Sequence, residues 1–468
     1  MVAVADELGD LCARVWRSLG GAADVAWAVS TSGPRAVLSA YFDVTGLATA
    51  SVAAATLAAA EFLAAREVSR LRPVSVDSRA ACAAFAAEGL FTPVGWSRPE
   101  LWDPVAGNYR AEDGWIRLHT NYAYHRAVVE RVLGAGDRAG VQAAAQRWKA
   151  GDLETAVVEA GGCAAVMHTR EEWLASAPGA AAAIAPPLSV AERRLPAESG
   201  SAGTAPLRAG AAGPFSGVRV LDLTRVIAGP VCTGFLGAYG ADVLRLDPPG
   251  FAEVPALLPA TTAGKRTAAL NLTVDADRRV FENLVAGADV LVTGLRADAL
   301  GRLGYGDGAL TALNPALIIA SLDAYGWDGP WRDRRGFDSL VQMSCGIAAA
   351  GAAAAGRDEP VPLPVQALDH ATGYLLAAAV GRALTRRLTR SAGSRVRSSL
   401  VGTANLLWSL PRPADLPPAP RPEDFTLEDA QTAWGPARRV PLPGRIAGVT
   451  AGWRIEAGPL SRHQPAWS

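Results

Sequence analysis

The sequence predicts an α/β protein built on a parallel sheet, and three observations carry that expectation. Residues 218–223 form an apolar, β-branched run of the kind that fills a buried parallel strand. The chain then turns at Ala228-Gly229-Pro230, where proline can open a helix that reaches about Tyr239. A second strand over residues 242–246 leads into Asp247-Pro248-Pro249-Gly250. Strand, helix, strand within about thirty residues is a βαβ unit, and the N-terminus of its helix offers unpaired N–H groups to an anion such as phosphate. No G-x-G-x-x-G motif occupies the turn. Gly237, Gly240 and Ala241 follow the helix instead of preceding it, so a nicotinamide cofactor fits poorly.

Composition bounds the rest. A chain of 468 residues, half of them hydrophobic, can bury a large core and is expected to form two or three domains. Its 45 basic residues balance 45 acidic ones, so no global field favours nucleic acid or an anionic membrane and any anion site must be local. Cys12, Cys82, Cys163, Cys232 and Cys345 have no paired spacing, which speaks against zinc or a disulfide framework and suits a reducing compartment. Buried free thiols are expected. Residues 1–10 carry acidic groups where a secretory leader would be basic. Residues 44–60 are mostly alanine with Thr45, Ser51 and Thr56, which predicts a buried helix and not a membrane span. A cytoplasmic protein with no membrane or nucleic-acid partner is the expectation.

Residues 201–216 are rich in Gly, Ala and Pro and read as a linker. Before it, residues 108–120 contain a turn at Asp113-Gly114 feeding an alternating strand, followed by a helix through residues 128–133. After about residue 407 a proline-rich connector spans 411–422, and the tail beyond 440 carries no readable pattern.

The motif run is specific. V-L-D-L-T-R-V-I-A-G-P (220–230), K-R-T-A-A-L-N-L (265–272), A-D-V-L-V (288–292), A-L-G-R-L-G-Y (299–305), N-P-A-L-I (314–318), the stretch from Tyr325 through Gly329-Pro330 to Gly336-Phe337-Asp338, and Ala367-Leu368-Asp369 follow one another in order. From Gly217 to about Leu407 the chain resembles the class III CoA-transferases, which include formyl-CoA and carnitine types and related acyl-CoA racemases. The resemblance implies a Rossmann-like parallel-sheet large domain, a smaller α+β domain and a homodimer. Residues 108–120, with A-G-G-C-A-A-V at 160–166, resemble the family's small domain, which there follows the catalytic half and here precedes it. The order is therefore read as rearranged: 1–90 a partial large-domain-like helical segment, 91–200 small-domain-like, 201–216 linker, 217–407 the CoA-transferase domain, 408–468 connector and tail. V-T-G-L at Val44 echoes A-T-G-Y at Ala371. That echo matches the two helices and leaves Asp43 one position out of register with Asp369, a weak second nucleophile.

The resemblance carries the family's catalytic aspartate onto Asp369, placed before a helix that begins near Ala371. A carboxylate held beside a thioester carbonyl can displace CoA thiolate and form an aspartyl anhydride, then an aspartyl-CoA thioester. Read from the residues alone, Asp369 could equally be the N-cap of that helix. The family's CoA contacts carry over to Ile227 and Ala228, to the backbone of Leu270, Asn271, Leu272 and Thr273, to Arg302, and to Arg335, Phe337 and Asp338. Arginine suits phosphate because its planar fork donates two parallel hydrogen bonds. For Arg302 and Arg335 alike, an ordinary solvated arginine is the alternative. Lys265-Arg266 either adds charge or marks a strand edge, and Ser321 to Tyr325 ends a strand where ligands are often met.

Departures accompany the matches. Thr293-Gly294-Leu295 stands where the family usually shows Glu-Asn-Phe, and no glycine-rich loop follows Asp369. His370 is expected at the surface, and His119 and His125 are read as ordinary polar residues, not metal ligands. The leading reading is an enzyme that transfers CoA between carboxylic acids through Asp369, with the CoA thioester as substrate and no other cofactor or metal; the alternatives are an acyl-CoA racemase or epimerase, whose branch places a proton-carrying histidine where Phe337 stands, and a CoA-binding protein with catalysis reduced.

Overall fold

A seven-stranded sheet organises the molecule. In the computed structural model, which describes residues 2–22, 28–195, 213–413 and 416–468, its strands lie in the order Lys265–Ala269, Asp242–Asp247, Arg219–Leu223, Val290–Thr293, Ile318–Asp323, Ala392–Ser399, Leu188–Arg194. The first six are mutually parallel and the last is antiparallel. The strand order reverses between Arg219–Leu223 and Val290–Thr293, so the carboxyl ends of these neighbours diverge and leave a crevice. The βαβ unit is where the sequence puts it: the helix is Ala228–Ala238 and the second strand Asp242–Asp247. Most of the predicted linker, residues 201–212, lies outside the described residues, as do Ala414 and Asp415 in the predicted proline-rich connector.

Two charged pairs sit inside this sheet. Lys265 Nζ donates to Asp222 at 3.0 Å with both side chains fully buried. Burial alone would raise the Asp222 carboxyl, but Lys265 and Arg245 hold it below its ordinary value. Arg266 pairs with Asp242 at 2.8 Å. Both residues at the start of this strand therefore serve the sheet, and neither is free for a ligand.

The part of the chain before residue 200 is not a satellite. Gly107–Arg110, Trp115–Leu118 and Ala164–Val166 form an antiparallel sheet, covered by the helices Ala123–Leu133, Arg138–Ala145 and Ala150–Glu159 over their own core. The alanine-rich helix Val44–Glu67 lies against Ala367–Arg390, and both belong to the main core cluster. It is long and apolar enough to cross a membrane, yet 89% of its most apolar stretch is buried inside the protein. All five cysteines are buried and free.

Those two helices are quasi-equivalent. Each has 24 residues. Their N-caps are Asp43 (φ −75, ψ 68) and Gln366 (φ −76, ψ 63), and their C-caps Val68 (φ 50, ψ 46) and Ser391 (φ 50, ψ 49). A Cβ on Gly381 would sit 3.2 Å from Ala58 Cβ, and counting from the first helical residue these two positions correspond. Each helix crosses between two parallel strands: Val29–Ser32 with Val74–Asp77, and Ile318–Asp323 with Ala392–Ser399. An antiparallel strand then flanks each pair. Leu188–Arg194, from before the linker, joins the second pair, and Gly444–Ile446, from near the C-terminus, joins the first. The tail without a readable pattern is thus bound into the N-terminal part, and residues 428–439 form a hairpin that pairs with Thr92–Pro93.

In this register the counterpart of Asp369 is Gly46, and Asp43 matches Gln366. Asp43 caps its helix by accepting from Gly46 N–H at 2.8 Å and pairs with Arg35 at 2.9 Å. The expectation that Asp43 echoes the nucleophile position gives way to this register: the helix caps, not the short T-G echo, fix the alignment.

Candidate active site

The turn after strand Arg219–Leu223 is held in an unusual conformation. Val226 has φ of 64°, a left-handed value that a β-branched side chain rarely adopts. Its N–H donates to Glu253 Oε2 at 3.2 Å. Glu253 is itself buried, receiving Arg245 at 2.8 Å and the Tyr122 hydroxyl at 2.6 Å. Tyr122 is the N-cap of Ala123–Leu133, which covers the small antiparallel sheet, so that layer and the large sheet jointly fix the turn. Ile227 follows as the N-cap of Ala228–Ala238 without a side-chain cap, leaving first-turn N–H groups for a ligand.

Asp369 is brought to this turn by close helix packing. A Cβ on Gly373 would meet Ala228 O at 2.5 Å and Val231 Cβ at 2.7 Å, so the Ala367–Arg390 helix approaches Ala228–Ala238 more closely than a larger residue permits. The helix begins at Ala367, two residues before Asp369 and not after it. Its cap comes from elsewhere: Asp338 Oδ2 accepts from Asp369 N–H at 3.0 Å, and Asp338 Oδ1 accepts from Gln342. Asp338 therefore does the capping that the sequence left open for Asp369. Among the described residues the Asp369 carboxylate accepts no hydrogen bond, and burial, Asp338 and Glu88 push its pKa well above the ordinary value. Burial pushes the Asp338 carboxyl up to about 6.

His370 is buried, not exposed. Its Nε2 lies 3.0 Å from Glu88 Oε2, and its ring stacks on Phe85 with centroids 5.2 Å apart. The correction has a plain cause, since the N-terminal helices that cover it come from nearly 300 residues upstream. His119 and His125 are also buried. His119 lies flat on Phe337 at 3.8 Å. Among the described residues no group of three His, Cys, Asp or Glu side chains is placed to hold a metal.

Asp369 stands at the border of two cavities. The first, about 400 Å³, opens over the crevice at the sheet's carboxyl edge and is lined by Arg225, Arg296, Arg332, Arg334 and Arg335. The second, about 470 Å³, is walled mainly by apolar side chains from both ends of the chain. Val226, Ile227, Phe337 and Asp369 line both. A third, of about 270 Å³, adjoins the first through Arg225 and Leu295 and is lined by Leu270, Asn271, Leu272 and Thr273.

The residues expected from sequence thus divide. Ile227, Ala228, Arg335, Phe337 and Asp369 come together at the first cavity, and Leu270 to Thr273 at the adjoining one. Arg335 also donates to Gly161 O at 3.0 Å, tying its loop to the turn before the strand Ala164–Val166. Asp338 is fully buried beneath Asp369 and lines neither. Arg302 is exposed, pairs with Asp298 and lines none of the three. Gly294 and Leu295 line the first cavity, and a Cβ on Gly294 would make ordinary van der Waals contact with Leu322 at 3.6 Å and Thr224 at 3.7 Å. Sequence reading missed Arg225, Arg296, Arg332, Arg334 and Glu88. Arg225 and Arg296 each follow a strand that the motifs identify, which was the available signal; Glu88 had none. Asp323, on the strand end marked as a usual ligand position, lines the first cavity with Oδ2 unpartnered, and burial pushes it up to about 7.

Comparison with known proteins places part of the chain. Residues 215–429 match the model described as CoA-transferase family III. The acetyl-coenzyme A transferase nodX of Hypoxylon pulicicidum is 34% identical over 191 residues, 40% of this chain and 32% of that protein. An acyl-CoA transferase of Fusarium pseudograminearum is 30% identical over 41% of this chain and 46% of its own length. The crystal structure of Rv3272 from M. tuberculosis is 30% identical, with a TM-score of 0.39 over 42% of this chain and 58% of that one. The chain spans 32% and 46% of the lengths of the two curated relatives just named.

Proposed function

We propose that the protein moves CoA between carboxylic acids through Asp369, a reading supported by the match of residues 215–429 to the CoA-transferase family III model. The observation that carries this reading is the position of one carboxylate: of the acidic side chains lining the arginine-rich and the apolar cavity, only Asp369 lines both. CoA phosphates lie among Arg225, Arg296 and Arg335, with first-turn N–H groups at Ala228 and the backbone of 270–273 extending the site; Arg302 is the outlying member of the set. Asp369 Oδ attacks the thioester carbonyl, the C–S bond breaks, and CoA leaves as thiolate. The thiolate then attacks the aspartyl carbonyl of the anhydride, releases the donor carboxylate and leaves CoA on Asp369. An acceptor carboxylate reverses the two steps, so no proton is consumed and no cofactor beyond CoA enters. Asp338 positions the helix end and touches no substrate.

The finer features of the reading follow the same line. The large sheet is taken as Rossmann-like, the order of parts as rearranged, and the setting as cytoplasmic. The homodimer implied by resemblance is kept as an expectation. Mass spectrometry tests the reading. After incubation with acyl-CoA esters, the Asp369 peptide should carry CoA or acyl mass, and Asp369→Asn should carry none. Unmodified peptide with every ester tried would sink the proposal, as would wild-type α-hydrogen exchange of a 2-methylacyl-CoA in deuterated water that Asp369→Asn loses, which would favour the racemase.

A further inference from the structure

We infer that the apolar cavity beside Asp369 receives the acyl group, and that it accepts apolar monocarboxylic acyl groups and rejects those bearing a second carboxylate. This rests on the reading of Asp369 as the acyl-transfer site and adds the substrate class to it. The walls are apolar and come from three separated stretches: Leu38 and Phe85 from the N-terminal part, Leu257 and Val365 from the sheet-bearing part, Phe425 from the tail. At about 470 Å³ the space lies within the roughly 300–1,000 Å³ usual for small-molecule sites.

The charge pattern decides the class. No lysine or arginine lines this cavity, whereas five arginines line its neighbour across Asp369. The ionisable groups present are Asp369, Glu88 and His119. Glu88 is engaged with His370 at 3.0 Å. Burial, with Arg117 and His125 nearby, holds His119 well below its ordinary pKa, so it contributes no positive charge at neutral pH. An acyl group with a distal carboxylate would lose its water, find no cation and face the Glu88 carboxylate. A hexanoyl or phenylacetyl group replaces water against Leu, Val and Phe side chains and gains from that burial.

The test uses the full-length wild type and four probes: CoA, hexanoyl-CoA, phenylacetyl-CoA and succinyl-CoA. In calorimetric titration the two apolar thioesters should bind at least about tenfold tighter than CoA, from burial of several methylene equivalents, and succinyl-CoA no tighter than CoA. Succinyl-CoA binding as tightly as hexanoyl-CoA would overturn the inference. Leu257→Arg, which puts a cation in the wall, should shift the succinyl-to-hexanoyl affinity ratio toward succinyl by about tenfold, the gain expected from one charge-assisted hydrogen bond; an unchanged ratio in a variant that still binds CoA counts against it. Failure of the transfer reading looks different. Should the Asp369 peptide stay unmodified while the binding order holds, the transferase proposal falls and the selectivity of the cavity stands.

Discussion

The backbone N–H of Asp369 donates to the carboxylate of Asp338 at 3.0 Å, so a buried acid is held at its helix end by a second buried acid. Burial raises the Asp369 pKa, and the charges of Asp338 and Glu88 raise it further, because negative charges this close oppose each other's ionisation. A nucleophilic carboxylate must be ionised, so transfer should increase with pH along an acid limb that reports Asp369. Asp338→Asn keeps an acceptor for the N–H and removes the charge. Its limb should move to lower pH, measured as the pH of half-maximal kcat; an unmoved limb would show that Asp338 does not act electrostatically on Asp369.

Asp369→Asn should lower kcat by at least about 10³-fold, in keeping with the loss of a covalent participant, while CoA affinity stays within a few-fold. Stability supplies an independent readout. A carboxyl whose folded pKa is raised contributes its stability in full below the unfolded value, near 4, and loses it as pH rises through the folded value. At pH 8 wild type therefore bears the cost of an ionised buried carboxylate that the amide lacks. Asp369→Asn should melt higher than wild type at pH 8, with the gap closing as pH falls toward 4.

Phosphate recognition separates the arginines. Arg225→Ala, Arg296→Ala and Arg335→Ala, all at the first cavity, should each weaken CoA binding about 10- to 100-fold, as expected for a charge-assisted hydrogen bond worth about 1.5–3 kcal/mol. Arg302→Ala should change it less than about threefold, because its guanidinium is engaged with Asp298 outside the cavities. Titration calorimetry of the four variants decides the matter, and a loss confined to Arg302→Ala would relocate the site.

The helix crossing is a packing constraint. Gly381→Leu drives a side chain into Ala58, whose Cβ lies 3.2 Å from where the first added carbon would be. Overpacking of this kind costs about 1–3 kcal/mol. Urea denaturation should show that loss, and Ala58→Gly in the same chain should recover part of it.

Legibility followed sequence distance. The βαβ unit, the turn at Asp113-Gly114 that feeds a strand and the buried helix from Val44 are written in local periodicity; the βαβ boundaries came out within a residue or two, whereas the helix from Val44 runs seven residues past 60. Asp369 was reached only through resemblance. What stayed hidden was assembled across the chain: Glu88 reaching His370, His119 lying on Phe337, Leu188–Arg194 closing the large sheet. A strand that pairs with a partner some 200 residues away carries no mark of that partner in its own residues. The T-G echo misled because a two-residue match is weaker than cap geometry, which fixes where a helix starts. Arg225 and Arg296 were readable in principle, each sitting just beyond a correctly placed strand.

The two antiparallel strands are traded between the parts: Leu188–Arg194 completes the sheet of the later part, and Gly444–Ile446 that of the earlier one. Neither part can then complete its sheet from its own chain. Residues 217–468 produced alone should be aggregated or far less resistant to urea, whereas residues 1–200 and 213–468 co-produced as separate chains should copurify and recover CoA binding. Folding acquires an order from this exchange. The early part cannot finish until residues 444–446 have been synthesised, so during translation it waits with an open sheet edge, a state prone to wrong pairing. Once both strands are in place, unfolding of either part withdraws an edge strand from the sheet of the other, and loss of structure in one is loss in the other.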